Sequence, residues 1–421
     1  MNAESTDQLA IHGGPKVSPE GVTPRKLFGE EERREVMNLF DRAIAEGSHL
    51  LGYGGEQEEL YCEAFCETLG GGYADGVNSG TNAVYAALGA TDPPPMAEVV
   101  VPPISDPGGV MPVTMLNCIP VAADADSDAA YNTGAGEIEK VLSDKTHAII
   151  VAHIAGIPVD MGPVLRLAED HDLYVVEDCA QAHGARYRGR PVGTLGHVAA
   201  FSTMFGKHHA SGGQGGIVFT RDEKLYYSAR RMADRGKPFG LDGACTNVRA
   251  SLNANMDELH AAIGRTNLTK LNDFVTRRRE IAERVGEALS ERSESCRLVR
   301  ENEGDTASYW FLIVRIETDA LRVSKTDFVA ALREEGLPAE AGYGFFPLRM
   351  QWATERCTAC GATEPCDRRL CPMKRRPVPE LPKARAANQR HFRVSLHEGW
   401  TGEDVDNLIR ALLKVESAYL G

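Results

Sequence analysis

One lysine, Lys207, stands between the apolar run Val198-Ala199-Ala200-Phe201-Ser202 and the glycine-rich stretch Gly212-Gly213-Gln214-Gly215-Gly216. Lysine is ordinarily a solvated surface residue. In a cleft that disfavours its charge it can act as a nucleophile toward a carbonyl. Upstream, Asp178 follows the run Leu173-Tyr174-Val175-Val176 within Glu177-Asp178-Cys179-Ala180-Gln181-Ala182-His183-Gly184. A carboxylate just beyond a buried strand can hold a protonated ring nitrogen; equally, it can cap a helix. Earlier still, Asn78-Ser79-Gly80-Thr81 opens a helical stretch through Val84, Ala87 and Leu88. Free N–H groups at a helix start suit a phosphate, although Ser and Thr there are also ordinary caps. The neighbouring His208-His209 lacks the helical i, i+4 spacing of a metal pair, and His183 before Gly184 reads as a turn residue.

The elements around these residues alternate. Short runs at Val99–Val101, Ile119–Val121, Ala148–Val151, Leu173–Val176, Val198–Phe201 and Gly216–Phe219 predict strands, with helical segments between them. This predicts an α/β layer with a largely parallel sheet, whose ligands sit at the carboxyl ends of strands. Helices are expected over Glu31–Glu46, Glu58–Leu69 and most of Met256–Leu289. Beyond about residue 290 the pattern becomes a strand at Tyr309–Val314, a helix over Asp327–Glu335, and a final helix from Thr401 to Ala418 with Asp404 completing a capping box. The expected organisation is an N-terminal arm over 1–30, a large α/β domain over 31–275 and a small α+β domain over 276–421.

The 421 residues carry 46 basic against 60 acidic side chains, which offers no basic face for nucleic acid. No apolar run is long enough to span a bilayer, and Met1–Asp7 lacks a signal pattern. A cytoplasmic protein is expected, its ten cysteines mostly thiols. Cys357, Cys360, Cys366 and Cys371 have a spacing that fits a zinc site imperfectly. Arg230, Arg231, Arg235 and Lys237 read as a solvated basic face, with an anion site as the alternative.

Taken together, a phosphate cradle, an acid after a strand and a lysine are what pyridoxal 5'-phosphate needs for its phosphate, its pyridine nitrogen and its aldehyde. These segments, with Ile11-His12-Gly13-Gly14-Pro15, Leu252-Asn253-Ala254-Asn255-Met256-Asp257-Glu258-Leu259 and Ser395-Leu396-His397-Glu398-Gly399, resemble the DegT/DnrJ/EryC1/StrS aminotransferases. The resemblance implies the type I pyridoxal-phosphate aminotransferase fold: a large domain with a mostly parallel sheet and a smaller C-terminal α+β domain. It implies Lys207 as the residue bonded to the cofactor, Asp178 as partner of its ring nitrogen, and Gln181 near its phenolic oxygen. Gly80, Thr81 and Ser202 would hold the phosphate, and Asn253 would reach the cofactor of a second subunit in a homodimer.

The implied reaction moves an amino group from L-glutamine or L-glutamate to a keto-sugar or keto-cyclitol, as in the making of amino sugars and aminocyclitols for antibiotics. The rival readings are sugar dehydration or aromatising amino-ring formation on the same cofactor, and a non-catalytic binding protein. Family dehydratases carry histidine at the lysine position, so Lys207 favours transamination. Three positions depart from the family's pattern: Asp106 where relatives place a ring-stacking aromatic, Gln214 where Glu is frequent, and Asn255 where Arg is frequent.

Overall fold

The β-branched runs form one sheet because each is apolar on both faces and helices cover both. The computed structural model describes residues 8–243, 246–354 and 378–421. In it, β1 (Tyr73–Val77), β2 (Glu98–Val101), β3 (Ile119–Ala122), β4 (Thr146–Ala152), β5 (Tyr174–Asp178), β6 (Val198–Ser202) and β7 (Gly216–Thr220) make a seven-stranded sheet. Its order is β1-β7-β6-β5-β4-β2-β3. The strands from β3 to β6 are mutually parallel, while β7 is antiparallel to both β6 and β1.

Alternate residues feed opposite cores, as the two-residue repeat of a strand requires. Val99, Val101, Ile150 and Val176 pack on the face covered by α3 (Gly80–Ala90). Val100, Ile149, Val151 and Val175 pack on the other face, against the helix Met161–Asp170. Helix α3 is buried from Ala83 to Ala90, and its start is fixed by Ser79 Oγ accepting from the N–H of Asn82 at 3.2 Å. The chain therefore enters α3 next to the carboxyl ends of β5 and β6.

The expected strands are all present. Sequence patterning misses β1, whose Asp75 and Gly76 are poor strand formers; its pairing with β7 and the Arg230 partner of Asp75 hold it there. The expected helix over Met256–Leu289 is two, Glu258–Leu268 and Leu271–Arg292, the second continuous across position 275. No Gly or Pro marks the break. Lys270 at that point pairs instead with Glu31 and Glu32 of the first long helix, Glu30–Glu46.

The C-terminal layer is a four-stranded antiparallel sheet containing Cys296–Leu298, Phe311–Ile316, His391–Ser395 and Ala339–Glu340 in that spatial order. It packs on the helices Leu271–Arg292, Lys325–Glu334 and Gly402–Tyr419. The capping box of Thr401 and Asp404 forms as expected. The strand expected from Tyr309 begins only at Phe311. Tyr309 takes φ +47°, and the N–H groups of Ser308 and Trp310 bond to the carbonyls of Gly156 and Ala155 in the large layer. Trp310 is thus held at the junction of the two layers.

A buried ionic network ties the arm to the same junction. Arg278, 1% exposed, donates to the carbonyls of Tyr309, Trp310 and Leu396 and to Glu398. Arg25 of the arm donates to Glu398 at 2.8 Å and to the carbonyls of Phe205 and His208 on either side of Lys207. Cys357, Cys360, Cys366 and Cys371 lie outside the described residues. Among the described residues no helix is long and apolar enough to cross a membrane.

Candidate active site

Lys207 sits in the turn that follows β6, with its N–H bonded to the carbonyl of Met204 at 2.9 Å. It is 6% exposed, so its ammonium has lost nearly all of its water. Burial lowers its pKa to about 8, against the opposing pull of Asp178 and Asp106. A lysine so placed is partly neutral near physiological pH, as a nucleophile or a proton carrier must be. Its Nζ lies 3.6 Å from the centroid of the Trp310 ring, and the indole N–H donates to the carbonyl of Gly206 at 2.7 Å.

The three histidines nearby are structural. His183 donates from Nε2 to the Ser202 carbonyl at 2.8 Å, and His208 to the Ser308 carbonyl at 3.0 Å. His209 meets Tyr61 Oη at 2.5 Å. Burial drives His183 down to about 4 and His209 to about 3, so both are neutral. His183 does lie in the expected turn, which the Ala185 N–H closes on the Ala182 carbonyl at 3.0 Å with Gly184 at φ +76°, but its ring is buried.

Asp178 ends β5 and is buried. Burial raises its pKa, and the N–H of Ala180 donating to Oδ1 at 3.0 Å pulls the other way. Among the described residues Oδ2 accepts no hydrogen bond; it faces Gly109, where an added Cβ would lie 2.6 Å away. That oxygen is not among the buried polar atoms left without a partner, so it is open to a donor entering the site. Gln181 accepts from the N–H of Ala155 at 2.8 Å and donates to Tyr343 Oη at 2.9 Å. Asp106 caps its own short turn, accepting from the N–H of Gly108 at 2.9 Å. It adds negative charge facing Lys207, Asp178 and Tyr343. No aromatic surface is offered from position 106.

The phosphate cradle is a gap between α3 and β6. A Cβ on Gly80 would lie 2.5 Å from Ser202 Cβ and 2.9 Å from its Oγ. Thr81 Oγ1 borders Gly108 across the same opening. First-turn N–H groups of α3 have no intrahelical acceptor and point into it. These features fit pyridoxal phosphate: a gap at a helix N-terminus suited to an anion, a carboxylate oxygen that accepts no hydrogen bond among the described residues, and a largely buried amine. Gly80→Ala should close the cradle. We expect the dissociation constant for pyridoxal phosphate to rise about tenfold or more, in keeping with the roughly 1–3 kcal/mol cost of overpacking; titration of ligand-free protein followed by absorbance checks it.

The structure brings Gly80, Thr81, Asp178, Gln181, Ser202 and Lys207 to one end of the sheet. Asn253 stands next to Ala254, whose carbonyl accepts from the N–H of Asn78 at 2.8 Å just before the cradle. Asn253 is exposed, and its Oδ1 accepts from Asn255 at 2.6 Å. Sequence reasoning missed Trp310, Gly108 and Gly109, of which only the glycine pair left a trace, as a Pro-Gly-Gly turn after a strand. Tyr343 opens the stretch Tyr343-Gly344-Phe345-Phe346-Pro347, which resembles a region that approaches the active site in relatives, and its hydroxyl does meet Gln181. The expected solvated basic face is instead spent on contacts: Arg230 pairs with buried Asp75, Arg231 donates to the Phe239 carbonyl, and Arg235 and Lys237 both pair with Asp234.

Among the described residues one group has metal-ligand composition, His153, Glu177 and Cys179. Its atoms are already committed. Glu177 accepts from His153 and from the N–H groups of Gly193, Leu195 and Gly196, and His153 Nδ1 accepts from Val159. Burial alone would raise the Glu177 pKa, but these donors hold it below the usual value. The trio is a polar core. A hollow of about 480 Å³ bounded by Tyr131, Asn132, Val159 and Arg300 includes none of the site residues in its lining.

Comparison with known proteins places this geometry among others of its kind. The profile described as the DegT/DnrJ/EryC1/StrS aminotransferase family matches residues 31–413. A dTDP-3-amino-3,4,6-trideoxy-alpha-D-glucose transaminase of Streptomyces venezuelae is 34% identical over 272 residues, 63% of this chain and 70% of that protein. An L-glutamine:2-deoxy-scyllo-inosose aminotransferase of Streptomyces fradiae is 32% identical over 309 residues, 71% of this chain and 72% of the relative. Among solved structures, an aminotransferase from Psychrobacter cryohalolentis superposes with a TM-score of 0.81 at 28% identity, covering 93% of this chain and 98% of that one.

Proposed function

Since the chain belongs to the DegT/DnrJ/EryC1/StrS aminotransferase family, we propose that it carries an amino group from L-glutamine or L-glutamate to a keto-sugar or keto-cyclitol, with pyridoxal 5'-phosphate held at the end of the parallel sheet. The observation that carries this reading is the buried pair at that end: Lys207, largely desolvated, facing Asp178, whose Oδ2 has no donor among the described residues.

When bound, pyridoxal phosphate supplies an electron sink that lets the C–H bond beside a substrate amine break. Each residue then has a separate task. The N–H groups at the start of α3, with Thr81 and Ser202, bind the phosphate. Lys207 Nζ would hold the cofactor by its aldehyde and, as a buried amine that can be neutral, would carry the proton at the donor's α-carbon. Asp178 keeps the ring nitrogen protonated, and the buried setting strengthens that pairing by excluding water. Gln181, fixed by Ala155 and Tyr343, would serve the cofactor's phenolic oxygen, as the family resemblance implies. Loss of the donor's keto acid before the acceptor binds makes the cycle ping-pong.

The same reading includes a homodimer. Asn253 extends into solvent on its own chain, where it is available to a second subunit. Phe28, Met37 and Phe205 form an exposed apolar rim close in sequence or space to the Lys207 turn.

The test is a visible absorbance spectrum of protein loaded with pyridoxal phosphate, before and after L-glutamine or L-glutamate, with the released keto acid assayed in parallel. A long-wavelength band that bleaches with one donor while stoichiometric keto acid appears is the expected result. A band that ignores both donors would sink the donor assignment, and no band at all would sink the cofactor assignment.

A further inference from the structure

We propose that Trp310 is the positioning residue for Lys207: its indole face seats the ε-ammonium whenever that nitrogen has no covalent partner, and its N–H fixes the Gly206 carbonyl that precedes it.

Three observations carry this. The Nζ-to-ring distance is 3.6 Å, well inside the range in which the π-face attracts a cation. The indole N–H bonds the Gly206 carbonyl at 2.7 Å, so one side chain holds both the amine and the backbone that delivers it. Trp310 itself is immobilised: its N–H donates to the Ala155 carbonyl at 2.9 Å, and its carbonyl accepts from buried Arg278 at 3.1 Å. Lys207 is thus placed from the C-terminal layer, not only from the turn that carries it.

The electrostatic setting gives the seat a consequence. The charged groups facing Lys207 are Asp178 at the end of β5 and Asp106 on its loop. His183 lies behind and is kept neutral by burial. From the Trp310 side, the cation behind the backbone is Arg278. Burial opposes the ammonium, the two carboxylates favour it, and the indole face adds to their side. Removing the ring therefore moves the Lys207 titration toward lower pH. The value of this placement for catalysis rests on Lys207 being the reacting amine, as proposed above; the seat itself does not.

The test uses ligand-free protein. Trace acetic anhydride competes for Lys207 against a reference amine across neutral to alkaline pH, and mass spectrometry reads the Lys207 peptide. We expect Trp310→Leu to lower the labelling midpoint by about one pH unit, a tenfold change in the amine-to-ammonium ratio, with Trp310→Phe between the two. A Trp310→Leu midpoint equal to or above that of the parent overturns the proposal. A second measurement leaves Trp310 in place. Tryptophan emission of the parent should titrate with the Lys207 midpoint and lose that transition in Lys207→Met; the same transition in both proteins also overturns it. Neither readout needs cofactor or turnover. Failure of the aminotransferase reading, seen as no cofactor band and no keto acid released, is therefore separate from failure of the seat.

Discussion

Lys207→Met should lower kcat by about a thousandfold or more and abolish the bleaching of the cofactor band by donor. Removing a group that acts as both nucleophile and proton carrier costs at least the roughly 10²–10⁴ of general acid–base catalysis alone. Methionine is chosen because the site is buried and apolar on the Trp310 side, so an unbranched side chain keeps its packing while losing the amine. Lys207→Arg sharpens the result. It preserves a cation over the indole but cannot give up its proton at working pH. If both variants are inactive, the required property is the amine that can become neutral, and not its charge. If Lys207→Ala, Lys207→Met or Lys207→Arg turned over at the parent's rate, the assignment of Lys207 would be wrong. Keto acid release, measured with cofactor occupancy confirmed separately, decides it.

The second large effect is expected from Asp178→Asn, a fall in kcat of about 10²–10³. Asparagine retains a carbonyl oxygen for the Ala180 N–H, so the turn after β5 should survive. What changes is the other position, where an acceptor facing the site becomes an NH₂ donor. A donor there cannot keep a proton on the cofactor's ring nitrogen; it competes with that proton. The expected signature is a loaded protein with a visible band and slow chemistry. A variant that binds cofactor and turns over within about threefold of the parent would show that Asp178 serves the fold and not the reaction.

How much of this could be read in the chain follows from which contacts are local. The parallel strands were legible because burial on both faces demands continuous apolar runs such as Val99-Val100-Val101. Asp178, Ser202 and Lys207 were legible because they stand just after such runs, where a sheet meets its ligands. β1 was not, since Asp75 and Gly76 are tolerated by a partner far away in sequence. Tyr343 reaches Gln181 across 162 residues, and no periodicity reports such a contact. Trp310 was hidden in another way. It sits in an aromatic run that reads as strand, and only the pull of the Ala155 and Gly156 carbonyls shows that it belongs to the site. The departure at Asp106 was legible as a missing aromatic. Its role in capping Gly108 and adding charge near Lys207 was not.

The seam between the layers bears on how the site is walled. Thr306 and Arg186 exchange backbone hydrogen bonds at 2.7 and 2.8 Å, Ser308 follows on Gly156 at 3.0 Å, and Trp310 on Ala155 at 2.9 Å. Four bonds stitch alternate residues of one segment, Thr306, Ser308 and Trp310, to loops of the large layer, and opening the molecule along that line would break them together. Such a joint is not a hinge. The wall that Trp310 contributes beside Lys207 is therefore fastened to the same layer that carries Lys207 and Asp178.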